Sequence, residues 1–163
     1  MSLKSEKQLL KNIHAWILIF IIGLVLSGIT AFPIEKELAF TVNHIKCFPG
    51  FMHDWIQQAY AAIKTTNENF PFISYGTDWL AFAHIAIAVA FIGPYRNPVK
   101  NKWVVQFGMI ACILVIPLAL IAGPIRGIPF YWRMIDCSFG VVGIIPLYIC
   151  YRKIISLENL LQK

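Results

Sequence analysis

Four long apolar stretches constrain this chain more than any other feature of its sequence. They cover residues 13–32, 78–95, 103–122 and 130–151, and each is close to the roughly 20 residues with which an α-helix crosses about 30 Å of hydrocarbon. Hydrophobic residues make up 58% of the chain and charged residues 13%, whereas soluble domains have about 45–50% and roughly 25%. The sequence therefore predicts an all-α integral membrane protein whose four transmembrane helices form an antiparallel bundle.

The connection between the first two spans, residues 33–77, is longer and more polar than the others. Pro49-Gly50 divides it into two pieces. In the second piece an apolar face recurs at helical spacing and predicts an amphipathic helix at the membrane interface; its members are Phe51, Trp55, Ala59 and Ile63. Residues 65–76 are expected to form a loop. With 163 residues, the whole chain, residues 1–163, is expected to form a single membrane domain.

The Lys and Arg residues are distributed unevenly between the two sides of the predicted bundle. Nine of the 14 lie in the N-terminus, the link between the second and third spans and the C-terminal tail. Because cytoplasmic segments carry an excess of Lys and Arg, we expect both termini on the cytoplasmic side of a bacterial inner membrane. This distribution also accounts for the net charge of +6, so nucleic acid is not an expected partner. The expected partners are membrane lipids and a membrane or periplasmic protein.

Motifs of soluble enzymes are missing from the sequence, so whether the chain is an enzyme stays open. It contains no Walker loop, GxGxxG turn, GxSxG elbow or HExxH pair. None of the four cysteines forms a CxxC pair. Cys47 and Cys137 both fall on the predicted outer side and could form a disulfide in an oxidising compartment. No catalytic residue is assigned.

A group of ionisable residues is predicted on the outer side, in or near the membrane, where such groups are costly and often functional. Arg133 and Asp136 are i, i+3 neighbours on the fourth helix, Arg126 lies in the loop before it, and Asp78 and His84 lie on the second helix. Two arginines beside a helix N-terminus suit an anion. The first hypothesis is an outward-facing pocket for a lipid headgroup or another small anionic or polar ligand. Alternatively, Arg133 and Asp136 neutralise each other and Asp78 caps its helix.

Histidines support a second hypothesis, a haem- or metal-binding redox subunit. His44, His53 and His84 are candidate ligands of a transition metal. The opening KNIHAWILIFIIGLVLSG, which contains His14, resembles the first helix of bacterial cytochrome b561-like proteins, and His84 in the second span fits their pattern. That resemblance implies haem b with His14 and His84 as ligands, although the third and fourth spans contain no histidine partner. A third hypothesis is a ligand-free scaffold or assembly factor whose outer segment docks another protein.

Overall fold

A computed structural model describes residues 3–44 and 48–162, and in this part of the chain all regular structure is helical. Seven helices follow one another in these two ranges: α1 (Leu3–Ala31), α2 (Ile34–His44), α3 (Gly50–Asn69), α4 (Pro71–Ala90), α5 (Ile92–Arg96), α6 (Lys102–Ile125) and α7 (Phe130–Leu161). Pro49 precedes α3 directly, so the break predicted at Pro49-Gly50 is confirmed.

Among the described residues, four helical stretches are long and apolar enough to cross a membrane. They are Glu6–Ala31, Pro71–Arg96, Lys102–Ile125 and Phe130–Leu161. The predicted fold class is therefore confirmed at this level: the chain is all-α, with four candidate transmembrane helices that indicate a membrane protein. The helices extend beyond the predicted spans, most of all α1, which begins at Leu3, and α7, which continues without interruption to Leu161.

The loop predicted at residues 65–76 is wrong. Helix α3 continues to Asn69, and only Phe70 separates it from α4, which begins at Pro71. Proline is favoured at the first position of a helix because its missing N–H would have no intrahelical partner there. The polar residues of this segment therefore occupy defined positions on two helices.

The start of α4 also changes the role of Asp78. This residue lies well inside the helix, seven positions after Pro71, whereas a capping residue stands at the helix boundary. The interpretation of Asp78 as a helix cap is therefore wrong, and its carboxylate is left available for the cavity described below.

Contacts along the chain define two compact units. Unit 1 comprises Met1–Ile22 and Ala88–Lys163, and unit 2 comprises Gly23–Ile87. Helix α1 contributes residues to both units, and so does α4. The two units are described separately.

In unit 1, α6 and α7 pack against each other along most of their length. Their contacts pair residues in reverse order along the chain: Gly123 with Arg133, Cys112 with Gly140, Gly108 with Leu147, and Lys102 with Glu158. The two helices are therefore antiparallel neighbours. Glycines allow the close approach, since a Cβ atom at Gly140 would overlap the backbone carbonyl oxygen of Cys112. Small residues at such contacts are typical of packed membrane helices.

The core of unit 1 is centred on Phe91, which is fully buried. The Phe91 ring lies 4.7 Å from the ring of Phe20, between centroids. A Cβ atom at Gly108 would lie only 2.7 Å from Cζ of Phe91. This glycine therefore provides the space that the aromatic ring occupies.

In unit 2, α2 and α3 pack against each other, and α1 approaches α4 at Gly28, where a Cβ atom would lie 2.9 Å from the Ala81 carbonyl oxygen. Ile56 is the buried residue of α3, whereas Phe51 is 58% exposed. The buried position of α3 is therefore Ile56, one residue after the predicted Trp55.

Candidate functional site

Unit 2 contains a cavity of about 250 Å³ at the junction between α1 and α2 and the junction between α3 and α4. Its apolar lining is Phe32, Pro33 and Ile34, and its polar lining is Glu35, Lys36, Asn67, Ser74, Thr77 and Asp78. The polar residues come from α2, the last turn of α3 and the first turns of α4. We call this space the polar cavity.

A chain of hydrogen bonds crosses the polar cavity and connects its three helices. The Asn67 side-chain amide donates to the Glu35 carboxylate over 2.5 Å. The Ser74 hydroxyl donates to the Asn67 side-chain oxygen. Asn67 therefore uses both ends of its amide, and this fixes the orientation of the Glu35 carboxylate.

The charges in the polar cavity are not neutralised within the described part of the protein. The ion pairs among the described residues are Lys64–Glu68 and Lys102–Glu158. Neither pair involves a residue that lines the cavity. Glu35 and Asp78 contribute two carboxylates, and Lys36 contributes a single ammonium group. The described part of the lining therefore carries an excess of negative charge together with one cation, Lys36, that is outside these ion pairs.

A second cleft of about 310 Å³ adjoins the polar cavity and shares Phe32 and Asp78 with it. Its other lining residues are Tyr75, Trp79 and Phe82, which lie on one face of α4 because they are four and three positions apart. The Trp79 ring makes edge-on contacts with Tyr75 and Phe82, at centroid distances of 6.0 and 5.9 Å. We call this space the aromatic cleft.

Three of the predicted site residues lie in unit 1 and do not line either space. Arg126 is exposed just after α6. Arg133 packs against Gly123, its guanidinium carbon lies 5.3 Å from the Phe130 ring centroid, and its Nε atom is buried without a hydrogen-bond partner. Asp136 is half-buried, and no ion pair joins it to Arg133 in the described ranges. The predicted mutual neutralisation of Arg133 and Asp136 is therefore wrong.

The candidate metal ligands of unit 2 belong to three different helices, α2, α3 and α4. His84 is half-buried, with Nδ1 2.8 Å from the Leu80 carbonyl oxygen of its own helix. His44 is exposed, its Nδ1 lies 3.0 Å from the Phe40 carbonyl oxygen, and His53 is half-buried on α3. Within residues 3–44 and 48–162, no three His, Cys, Asp or Glu residues are grouped so that they could hold a metal ion.

The residues implied by the haem resemblance are His14 in unit 1 and His84 in unit 2. The His14 ring lies against the Tyr95 ring at 4.7 Å between centroids. His14 is the only histidine in the sequence of unit 1, so this unit provides no bis-histidine pair. The Cys47–Cys137 disulfide lies outside the described residues, because Cys47 is not among them.

Of the five predicted binding residues, Asp78 alone lines the polar cavity, and the sequence interpretation missed Asn67 and Ser74. Both belong to the segment predicted as a loop, in which side-chain directions are undefined. The sequence signal that could have placed Asn67 and Ser74 near a helix boundary is Pro71, because proline is favoured at the first position of a helix. Extending α4 back to that residue places Ser74 and Asp78 at i, i+4 on one face.

This chain matches no protein-family model, no curated protein and no solved structure. The interpretation of the site therefore rests on the geometry of its own residues.

Proposed function

We propose that this chain is an integral protein of a bacterial inner membrane, an antiparallel bundle of four transmembrane helices with both termini in the cytoplasm. Its polar cavity faces outward and binds the headgroup of a lipid or another small polar ligand. The observation that carries this proposal is the position of the cavity. It lies where the candidate span of α1 ends, at Ala31, and where the next one begins, at Pro71.

The charges of the cavity support a location at the membrane boundary. A carboxylate at the centre of the bilayer costs about 2.5–3.5 kcal/mol even on the mildest scale, and Glu35 and Asp78 have no cationic partner among the described residues. Near the headgroups, water and ligand groups can solvate both carboxylates. A polar space at that depth, with an aromatic cleft beside it, suits a molecule that has a polar and an apolar part.

The proposed orientation is expected to place both termini in the cytoplasm, because nine of the 14 Lys and Arg residues lie on that side. A reporter that is active only in the cytoplasm, fused in turn to each terminus, measures this directly. Activity of the fusion at both ends is the expected result. Activity at neither end would invert the orientation and place the cavity on the cytoplasmic side.

Filling the polar cavity is expected to reduce lipid binding. In Thr77→Phe the larger side chain would occupy part of the cavity, whereas Ala86→Phe changes an exposed position of the same helix that lines neither space. We expect Thr77→Phe to retain about five- to tenfold less lipid, which corresponds to roughly 1–1.4 kcal/mol, and Ala86→Phe to match the wild type. Native mass spectrometry of the purified proteins with a defined phospholipid mixture gives the comparison.

Other results would favour the other hypotheses. Equal lipid retention by Thr77→Phe and Ala86→Phe, with folding intact, would contradict the proposed pocket and favour a scaffold or assembly factor. A Soret band, or a stoichiometric transition metal in the purified protein, would favour the redox subunit that the histidines suggest.

A further inference from the structure

We infer that the polar cavity and the aromatic cleft together bind a zwitterionic aminophospholipid. Its ammonium group lies between Glu35 and Asp78, its phosphate lies beside Lys36, and an acyl chain follows the aromatic cleft. This inference rests on the proposed function and names the ligand class of the same site.

The two carboxylates favour a ligand with an ammonium group. Among the described residues, the neutral Asn67 donates to one oxygen of the Glu35 carboxylate, and Asp78 lines the same cavity from α4. A primary ammonium group has three N–H donors, enough to reach both carboxylates at once. An anionic lipid without an amine brings no cation to the two carboxylates and adds further negative charge to the cavity, and this repulsion selects against it.

Lys36 supplies the complementary site for a phosphate. It is the only cationic residue among the described residues of the lining, and it forms no ion pair with either cavity carboxylate. Its ammonium group is therefore available to a ligand. Two carboxylates and one lysine match the alternation of charge in a headgroup in which an amine and a phosphate are two carbons apart.

The aromatic cleft provides the surface for the apolar part of the lipid. It begins at Phe32 and Asp78, which also line the polar cavity, so the two spaces adjoin. From Tyr75 to Phe82 it follows α4 for about 10 Å at 1.5 Å per residue, in the direction that leads from Pro71 into the candidate span. An acyl chain attached to a headgroup in the polar cavity would take this direction.

The lipid selectivity of the wild-type protein tests the inference first. Native mass spectrometry would be performed with equimolar phosphatidylethanolamine and phosphatidylglycerol of identical acyl chains. We expect about tenfold more phosphatidylethanolamine adduct. Free phosphoethanolamine is then added as a competitor. We expect it to displace the lipid only when its concentration is at least about tenfold higher than that of the lipid. Equal retention of the two lipids overturns the inference, and displacement by the free headgroup at equal concentration overturns the role of the aromatic cleft.

Charge-removing variants test which residues provide the selectivity. Glu35→Gln and Asp78→Asn keep the side-chain shape and are expected to reduce the preference for phosphatidylethanolamine about three- to tenfold. Glu37→Gln and Asp54→Asn remove exposed carboxylates of α2 and α3 that do not line the cavity, and they should match the wild type. Unchanged selectivity in a folded Asp78→Asn protein contradicts the inference.

The two proposals fail in different ways. If Thr77→Phe loses lipid but the wild type does not distinguish the two lipids, the pocket remains and the inference about its ligand is wrong. If Thr77→Phe retains lipid as the wild type does, both are wrong. Circular dichroism of each variant establishes folding, and the wild-type selectivity decides the question even where a variant does not fold.

Discussion

Replacing Phe91 with alanine is expected to lower the free energy of unfolding by about 2–3 kcal/mol. The Phe91 side chain is fully buried, contacts the Phe20 ring and occupies the space left by Gly108. The helices of an unfolded membrane protein remain in lipid. Removing the Phe91 side chain therefore costs little transfer free energy, because this side chain is not exposed to water in either state. The expected loss comes from the cavity that the substitution leaves, which costs about 24 cal/mol per Å³ for roughly 100 Å³ of removed side chain.

Phe139→Ala is the matched control for this experiment. Phe139 lies on α7 and is 69% exposed, so its removal leaves no internal cavity and should change stability by less than about 0.5 kcal/mol. Unfolding in mixed micelles with increasing denaturing detergent, followed by circular dichroism, measures both variants. Equal losses would show that Phe91 is not part of a packed core.

Replacing Gly140 with alanine is expected to cost about 1–3 kcal/mol through overpacking. The new Cβ atom would overlap the carbonyl oxygen of Cys112, and Val115 lies nearby at 3.6 Å. A helix carbonyl is held by its own backbone and cannot rotate away as a flexible side chain can. The methyl group would therefore push α6 and α7 apart along their shared interface.

Gly23→Ala provides the opposite case in the same chain. Gly23 is in α1 and is exposed, and apart from the adjacent backbone of its own helix no described atom lies within 4 Å of the position of its Cβ. Alanine is the better helix former by about 1 kcal/mol, so this variant should be neutral or more stable. The same detergent titration applies, and a loss of stability in Gly23→Ala similar to that in Gly140→Ala would contradict the assignment of Gly140 to a close helix contact.

The four candidate spans could be predicted from the sequence because a long apolar run of sufficient length has few alternatives. The helix ends could not, since apolarity and helicity are different properties. The polar turns after Tyr151 continue α7, and Ile154 and Leu157 are buried there. The first turns of α4 are equally helical although they contain Ser74 and Asp78.

The candidate site was only partly predictable. Because charges are costly in a membrane, the sequence selects Asp78 as a site residue, and Asp78 lines the polar cavity. The same reasoning also selects Arg133 and Asp136, which form no ion pair in the described structure. Nothing in the sequence shows that Gly123 provides a surface for the Arg133 side chain. The bond between Glu35 and Asn67 joins residues that are 32 positions apart, and only the folded chain brings them together.

In the proposed membrane arrangement, α7 is longer than the hydrocarbon layer is thick, and this limits the depth that it can take. With 32 residues it is about 48 Å long at 1.5 Å per residue, whereas the hydrocarbon layer is about 30 Å thick. Tyr148 and Arg152, whose side chains are in contact through a 3.2 Å hydrogen bond, are the residue types that anchor a helix at the headgroups. A thicker membrane would have to draw the Arg152 charge into its interior. We therefore expect hydrophobic mismatch to be met by deformation of the lipid around α7, with its C-terminal turns held in water.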